Sequence, residues 1–113
     1  DVVTARWPQE EAKYSVPYYP NVTMGWDPTP RCKQTDPLVN KGYPFMATLS
    51  DNTPENFKIA LEKVRDFLAK RPVNERIFTI NCWNEWTEGS YLEPDVAHGF
   101  AYLKAVKEIF GKP

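Results

Sequence analysis

The sequence has one histidine and two cysteines, too few to suggest a metal centre. Cys32 and Cys82 show no CxxC spacing, and His98 alone completes no zinc ligand set. The two thiols are read as free. Charge of one sign is not in excess either. The chain has 14 basic and 15 acidic residues and a net charge of -1, which argues against a nucleic-acid footprint or a polybasic membrane patch. No apolar run approaches the roughly 20 residues that span a bilayer. There is no internal repeat, no low-complexity tract, no phosphate-binding loop and no acidic metal motif. No signal peptide is visible. The chain starts at Asp1 without Met, so the natural start is expected upstream, and a cytoplasmic setting is favoured.

Prolines and aromatics are plentiful. There are 11 prolines, most of them before Pro54, with four Trp, six Tyr and six Phe. Aromatic and aliphatic residues interleave with the prolines, which suggests ordered loops rather than disorder. An aromatic-rich core and a sugar-binding surface are both compatible with this composition.

Residues 1–20 read as a loop-rich lead-in, because Trp7-Pro8, Val16-Pro17 and Tyr19-Pro20 each bias the residue before proline to extended geometry. "NVTMGWD" (21–27) is a short strand candidate that runs into the turn-rich "DPTPR". Residues 28–44 read as a long loop, a length that usually carries function. "PFMATLS" (44–50) is a second strand candidate. The clearest helix follows. Thr53 can cap it and Pro54 suits its first position. Phe57, Ala60, Leu61, Val64, Phe67 and Leu68 then make one apolar stripe, and Arg71-Pro72 ends it. "RIFTINCW" (76–83) reads as a strand rich in β-branched and aromatic residues. Asp95 is a possible cap for a final helix whose apolar set is Leu103, Val106, Ile109 and Phe110, with Gly111 beyond it. Strands alternating with helices indicate parallel βα units. Two or three such units are too few to close an eight-stranded barrel alone.

The chemistry concentrates in residues 81–95, "NCWNEWTEGSYLEPD". If the strand stays extended, Ile77, Thr79, Asn81, Trp83 and Glu85 share one face, while Phe78, Ile80 and Cys82 point the other way under helices. Polarity then gathers at the C-terminal tip, where a barrel enzyme keeps its catalytic mouth. Glu85 and Glu88 are three apart, about 5–6 Å between Cβ atoms in a helical turn. Two carboxylates that close cannot both ionise freely, so one can donate a proton while the other accepts. Glycosidic cleavage needs such a donor at the leaving oxygen. Trp83, Trp86 and Tyr91 offer flat faces for sugar rings, Asn84 can pair with a hydroxyl, and Gly89 permits a sharp turn. The competing reading is structural: glutamates in the first turn of a helix favour its dipole, and tryptophans often serve as packing anchors. Glu93 is a loop carboxylate that could salt-bridge or bind a hydroxyl. Trp26, Asp27 and Arg31 end the first strand candidate. With parallel strands they face the same way as Glu85, to contact a sugar or a phosphate-bearing donor, or to pair as an internal salt bridge. His98 is read as a helix-surface or capping residue.

"WNEWTEGSYLEPD", with "GFAYLKA" after it and "GWDPTPR" before it, resembles the glycoside hydrolase family 99-like group, which includes endo-α-mannosidases and WbsX-type proteins found with polysaccharide biosynthesis genes. The resemblance implies an α/β fold of the (β/α)8 TIM-barrel type, with residues 1–113 as a C-terminal segment of the catalytic domain. It implies Glu88 as general acid/base and Glu85 as the partner carboxylate that deprotonates the substrate's own 2-hydroxyl, with net retention. Asn84 would sit beside them in the cleft. Thr87 stands where the endo-mannosidases typically have His, and "SYLEPD" is closer to the WbsX-type branch. The expected activity is therefore cleavage or transfer of glycosidic bonds in a glycan or polysaccharide. No metal or organic cofactor is implied, and substrate contacts are expected from Asn84, Trp86, Tyr91, Trp26, Asp27 and Arg31. The alternatives are a glycosyltransferase of cell-surface polysaccharide synthesis and a non-catalytic glycan-binding module.

Overall fold

The computed structural model describes residues 3–37 and 39–111. Its centre is a βαβ unit. Strand β1 (Asn21–Thr23) lies parallel to β2 (Thr79–Asn81), with Asn21 opposite Thr79, Val22 opposite Ile80 and Thr23 opposite Asn81. The connection carries a long helix, as a parallel pair requires. This helix (Pro54–Leu68) begins with Thr53, whose side chain accepts from the Asn56 backbone N–H, and has proline at its first position, where a missing N–H costs nothing. The expected stripe faces inward: Phe57, Ala60, Leu61, Val64 and Leu68 are buried, and Phe67 packs partly against them.

Residues 1–20, expected to be loop, instead carry helix α1 (Trp7–Lys13), preceded by a single 3-10 turn at Thr4–Arg6. Proline at the second helical position removes only a donor that has no intrahelical partner, so Trp7-Pro8 opens this helix rather than preventing it. Trp7 is buried and its ring lies 5.7 Å from that of Phe67, which ties α1 to the long helix, α2.

The last helix, α3 (Ala101–Phe110), starts five residues later than a cap at Asp95 would place it. Asp95 caps a separate turn: its side chain accepts from the His98 backbone N–H, and Asp95 and Gly99 exchange backbone hydrogen bonds. The inward residues of α3 are Tyr102 and Ala105; Val106 and Ile109 pack at the margin, and Phe110 remains 40% exposed. Tyr102 donates to the Asn52 carbonyl at 2.6 Å, and burial pushes its phenol up to about 12. It therefore remains a donor across the neutral range.

The segment 44–50, expected as a strand, has no ladder beyond an isolated bridge from Gly42 to Phe45. Its tie to β1 is one bond, Leu49 N–H to the Trp26 carbonyl at 2.8 Å. The strand read over 76–83 is laddered only at Thr79–Asn81, because its partner β1 is three residues long.

Leu61 and Val64 are fully covered, so the energetic centre lies between α2 and the strands. Leu61→Ala in the full-length protein is expected to lower stability by about 2–5 kcal/mol, the usual cost of lost transfer energy plus a cavity. Chemical denaturation would show it as a reduced midpoint at unchanged slope.

Candidate active site

Because β1 and β2 are parallel, the loops leaving their C-terminal ends emerge together. After β2 the ladder stops at Asn81. Residues 84–91 then form a small hairpin: β3 (Asn84–Glu85) pairs antiparallel with β4 (Ser90–Tyr91) around a 3-10 turn, Trp86–Glu88. Glu85 thus belongs to the hairpin rather than to a continuation of β2, so the face alternation read from the sequence does not reach it. Gly89 closes the turn at φ +57°, in the left-handed region that favours glycine.

Ser90 pins this hairpin. It is fully buried, donates to the Asn81 carbonyl at 2.9 Å and accepts from the Asn81 side-chain amide at 3.0 Å. Cys82 Sγ meets the Ser90 carbonyl at 3.1 Å. Both cysteines are free. A second link crosses to the β1 loop, where the Asp27 N–H donates to the Glu88 carbonyl at 2.6 Å. This approach is so close that a Cβ at Gly25 would lie 2.4 Å from the Gly89 carbonyl oxygen.

The two acids are brought together by a third group. Arg31, in the turn Thr29–Arg31, points Nη2 at Glu85 Oε2 (3.5 Å) and Nε at Glu88 Oε1 (3.3 Å). The arrangement is a carboxylate–guanidinium–carboxylate bridge, not the bare like-charge pair expected from spacing. The side chain of Glu85 is 50% exposed and that of Glu88 only 15%. Asp27 accepts from the Thr29 N–H at 3.0 Å and Arg31 meets the two glutamates, so the salt bridge between Asp27 and Arg31, one of the two readings of these residues, is not formed. Tyr43 joins them. Its phenol donates to Glu88 Oε1 at 2.6 Å, and that bond raises its pKa above the ordinary tyrosine value. Trp26 lies beside the Tyr43 ring at 6.4 Å.

The aromatic side of the site is layered. Trp86 stacks on Tyr91 with ring centres 3.9 Å apart and planes 22° from parallel. Tyr91 is therefore the backing of Trp86 rather than a separate platform. Glu93 accepts from the indole N–H of Trp86 at 2.9 Å, which fixes the ring's rotation. Trp86 keeps 44% of its surface exposed, and Trp83 53%. Asn84 is exposed on the same hairpin.

Asp95 anchors the far edge of this layer. Its carboxyl is held below the ordinary aspartate value, first by the His98 backbone N–H, then by the His98 and Tyr91 side chains, against an opposing effect of burial. A depressed native value stabilises the fold above the unfolded pKa of about 4, and that contribution disappears as pH falls through the native value. As pH falls below about 4, the wild type should lose stability more steeply than Asp95→Asn, as read by denaturant midpoints across the acid range.

Two concavities lie elsewhere. One of about 650 Å³ runs between β1, the start of α2 and residues 48–53; another of about 840 Å³ lies between α1 and α2. Neither is lined by Glu85 or Glu88. We give the chemistry of the side chains more weight than cavity size in placing the site, because the Arg31 bridge joins residues from both strand ends. Among the described residues no group of three His, Cys, Asp or Glu converges to hold a metal ion, and no helix is long and apolar enough to cross a membrane.

Residues 1–106 match the family described as Glycosyltransferase WbsX. The chain belongs to that family. It is also similar to the uncharacterized protein WxcX of Xanthomonas campestris pv. campestris, in strain B100 and in strain ATCC 33913, at 36% identity over 91 residues in each case. The match takes in 80% of this chain but only 12% of those relatives' length. No solved structure matches. The family's description names a glycosyltransferase, a glycan-directed activity of the kind that the resemblance of residues 83–95 implied.

The structure assembles Glu85, Glu88, Arg31 and Trp26 around one point and sets Asn84, Trp86 and Tyr91 on the adjoining hairpin. Asp27 contributes through its backbone. Tyr43 and Ser90 had no signal in the sequence. Tyr43 reaches Glu88 across 45 residues of chain, and Ser90 is a small polar residue inside a motif dominated by its acids and aromatics.

Proposed function

We propose that this chain carries one wall of the active cleft of an enzyme that breaks or makes glycosidic bonds in a polysaccharide, within a larger (β/α)8 barrel. The observation that carries the reading is the bridge of Glu85 and Glu88 through Arg31, at the C-terminal end of a parallel strand pair. That is the end of a parallel sheet where α/β enzymes collect their reacting groups.

In this reading Glu88 is the acid/base. It gives a proton to the departing oxygen and later takes one from water or from an acceptor hydroxyl. The better-covered acid suits that role, since its side chain is held in place by Tyr43 and Arg31. Glu85, half exposed, faces the substrate as the carboxylate that draws a proton from a sugar hydroxyl. Trp86 presents its free face to a sugar ring, and Asn84 to a hydroxyl.

Water as the acceptor makes the reaction hydrolysis; a sugar hydroxyl makes it glycosyl transfer. The family's description favours transfer. The absence of a phosphate-binding loop or an acidic metal motif in the sequence favours hydrolysis. The deciding experiment incubates the full-length protein with a glycan panel, with and without nucleotide sugars, beside Glu85→Gln and Glu88→Gln. Turnover that needs no nucleotide sugar and fails in both variants supports a hydrolase. Turnover that requires one supports a transferase. Glycan binding with no turnover in any combination supports a binding module.

A further inference from the structure

We infer that Tyr43 is a positioning residue for Glu88: with Arg31 it holds Glu88 by Oε1, and so designates Oε2 as the oxygen that exchanges a proton with the substrate. The inference rests on the reading of Glu88 as acid/base and adds a residue and an atom to it.

The geometry around the carboxyl is asymmetric. Oε1 accepts the Tyr43 phenol at 2.6 Å, in the range of charge-assisted O–H···O bonds, and faces Arg31 Nε at 3.3 Å. Among the described residues Oε2 takes no hydrogen bond. A proton-transferring oxygen needs a free lone pair or proton within about 2.6–3.2 Å of the reacting oxygen. Oε1 is engaged by the Tyr43 hydroxyl and faces the Arg31 charge, and is poorly placed to meet that need; Oε2 meets it.

The loop bearing Tyr43 is shaped for the contact. Gly42 adopts φ +86°, a conformation open to glycine, and Lys41 N–H bonds the Phe45 carbonyl at 2.9 Å across the turn. The ring is steadied by Trp26 on one side and by the Arg31 guanidinium, 5.9 Å from its centre. The phenol stays protonated at neutral pH because its bond to Glu88 raises its pKa. In the acid step the Oε2 proton passes to the leaving oxygen, which takes the electron pair of the broken C–O bond, while the sugar hydroxyl deprotonated by Glu85 bonds the anomeric carbon. The carboxylate left behind is received by the Tyr43 hydroxyl and the Arg31 charge already in place, so little reorganisation accompanies the transfer. In the return step Oε2 takes a proton from the incoming hydroxyl.

The test uses the full-length protein and Tyr43→Phe, which keeps the ring and removes only the hydroxyl. With the glycan found active in the panel, kcat should fall about tenfold. The alkaline limb of the pH–rate profile should move up, since a carboxyl that loses a donor keeps its proton longer. A residue that only packed the loop would leave that limb in place. A second measurement needs no substrate and no Tyr43 variant. The ring-carbon NMR signal of Tyr43 should titrate at lower pH in Glu88→Gln than in wild type. Unchanged rate and profile in Tyr43→Phe, or an unchanged Tyr43 titration in Glu88→Gln, overturns the inference. Persistent turnover in Glu88→Gln instead overturns the acid/base reading beneath it, so the two failures are separable.

Discussion

Replacing Glu88 with Gln is expected to lower turnover by about 10²–10⁴-fold, the usual contribution of a positioned acid/base, while glycan binding survives. Gln keeps the shape of the side chain and an oxygen for the Tyr43 phenol, but it has no proton to give. Folding should change little, since the links that hold the hairpin do not involve this carboxyl. The Asp27 N–H reaches the Glu88 backbone carbonyl, and Ser90 ties to Asn81. The Arg31–Glu88 contact would be lost. Arg31 keeps its contact with Glu85, so its charge is not left without a partner. Glu85→Gln should also abolish turnover if it draws the proton from a sugar hydroxyl. The contrast between the two lies in substrates with good leaving groups, which need little acid assistance. On these, Glu88→Gln should regain much of its rate and Glu85→Gln should not. Steady-state kinetics on paired substrates of good and poor leaving ability would check this.

Gly25→Ala is expected to damage both stability and activity, although residue 25 touches no substrate in this account. A Cβ there would lie 2.4 Å from the Gly89 carbonyl oxygen and 2.8 Å from the Asn52 side-chain nitrogen. The first of these is backbone and cannot rotate away. Relief requires the turn Trp86–Glu88 to move off the end of β1, which would break the Asp27–Glu88 backbone bond and part Arg31 from the acids. Inserting a methyl into a close-packed site costs about 1–3 kcal/mol, and a displacement near 1 Å at reacting groups can cost a hundredfold in rate. Thermal denaturation and kinetics of the same preparation would test the two parts. A variant with wild-type stability and rate would show that the two loops do not need their present separation.

The contrast between Asp27 and Tyr43 indicates what the sequence made legible. The helix α2 was readable because its cap, its first-position proline and its stripe all agree locally. The parallel pairing of β1 and β2 followed from the helix between them, and with it the meeting of the "GWDPTPR" and "NEWTEG" loops. Side-chain direction did not follow. Asp27 and Arg31 are four apart and of opposite charge, so pairing looked natural, yet a short carboxylate on a turn is better used bonding the backbone N–H two residues on. Released from Asp27, Arg31 reaches the acids. The same preference explains Asp95, which makes its own turn rather than opening α3. Helix α1 was hidden because Pro8 reads as a breaker unless its place in the first turn is known. Tyr43 belongs to no periodic pattern, and a contact across 45 residues depends on how the loop folds back.

The most direct test of the central claim is a crystal structure of the full-length Glu88→Gln protein with a glycan that the wild type converts. The account predicts a glycosidic oxygen within about 2.6–3.2 Å of the side chain at position 88, Glu85 against a neighbouring hydroxyl, and a sugar ring on the open face of Trp86. A glycan seated away from the 84–91 hairpin, with its scissile bond out of reach of both positions, would contradict it.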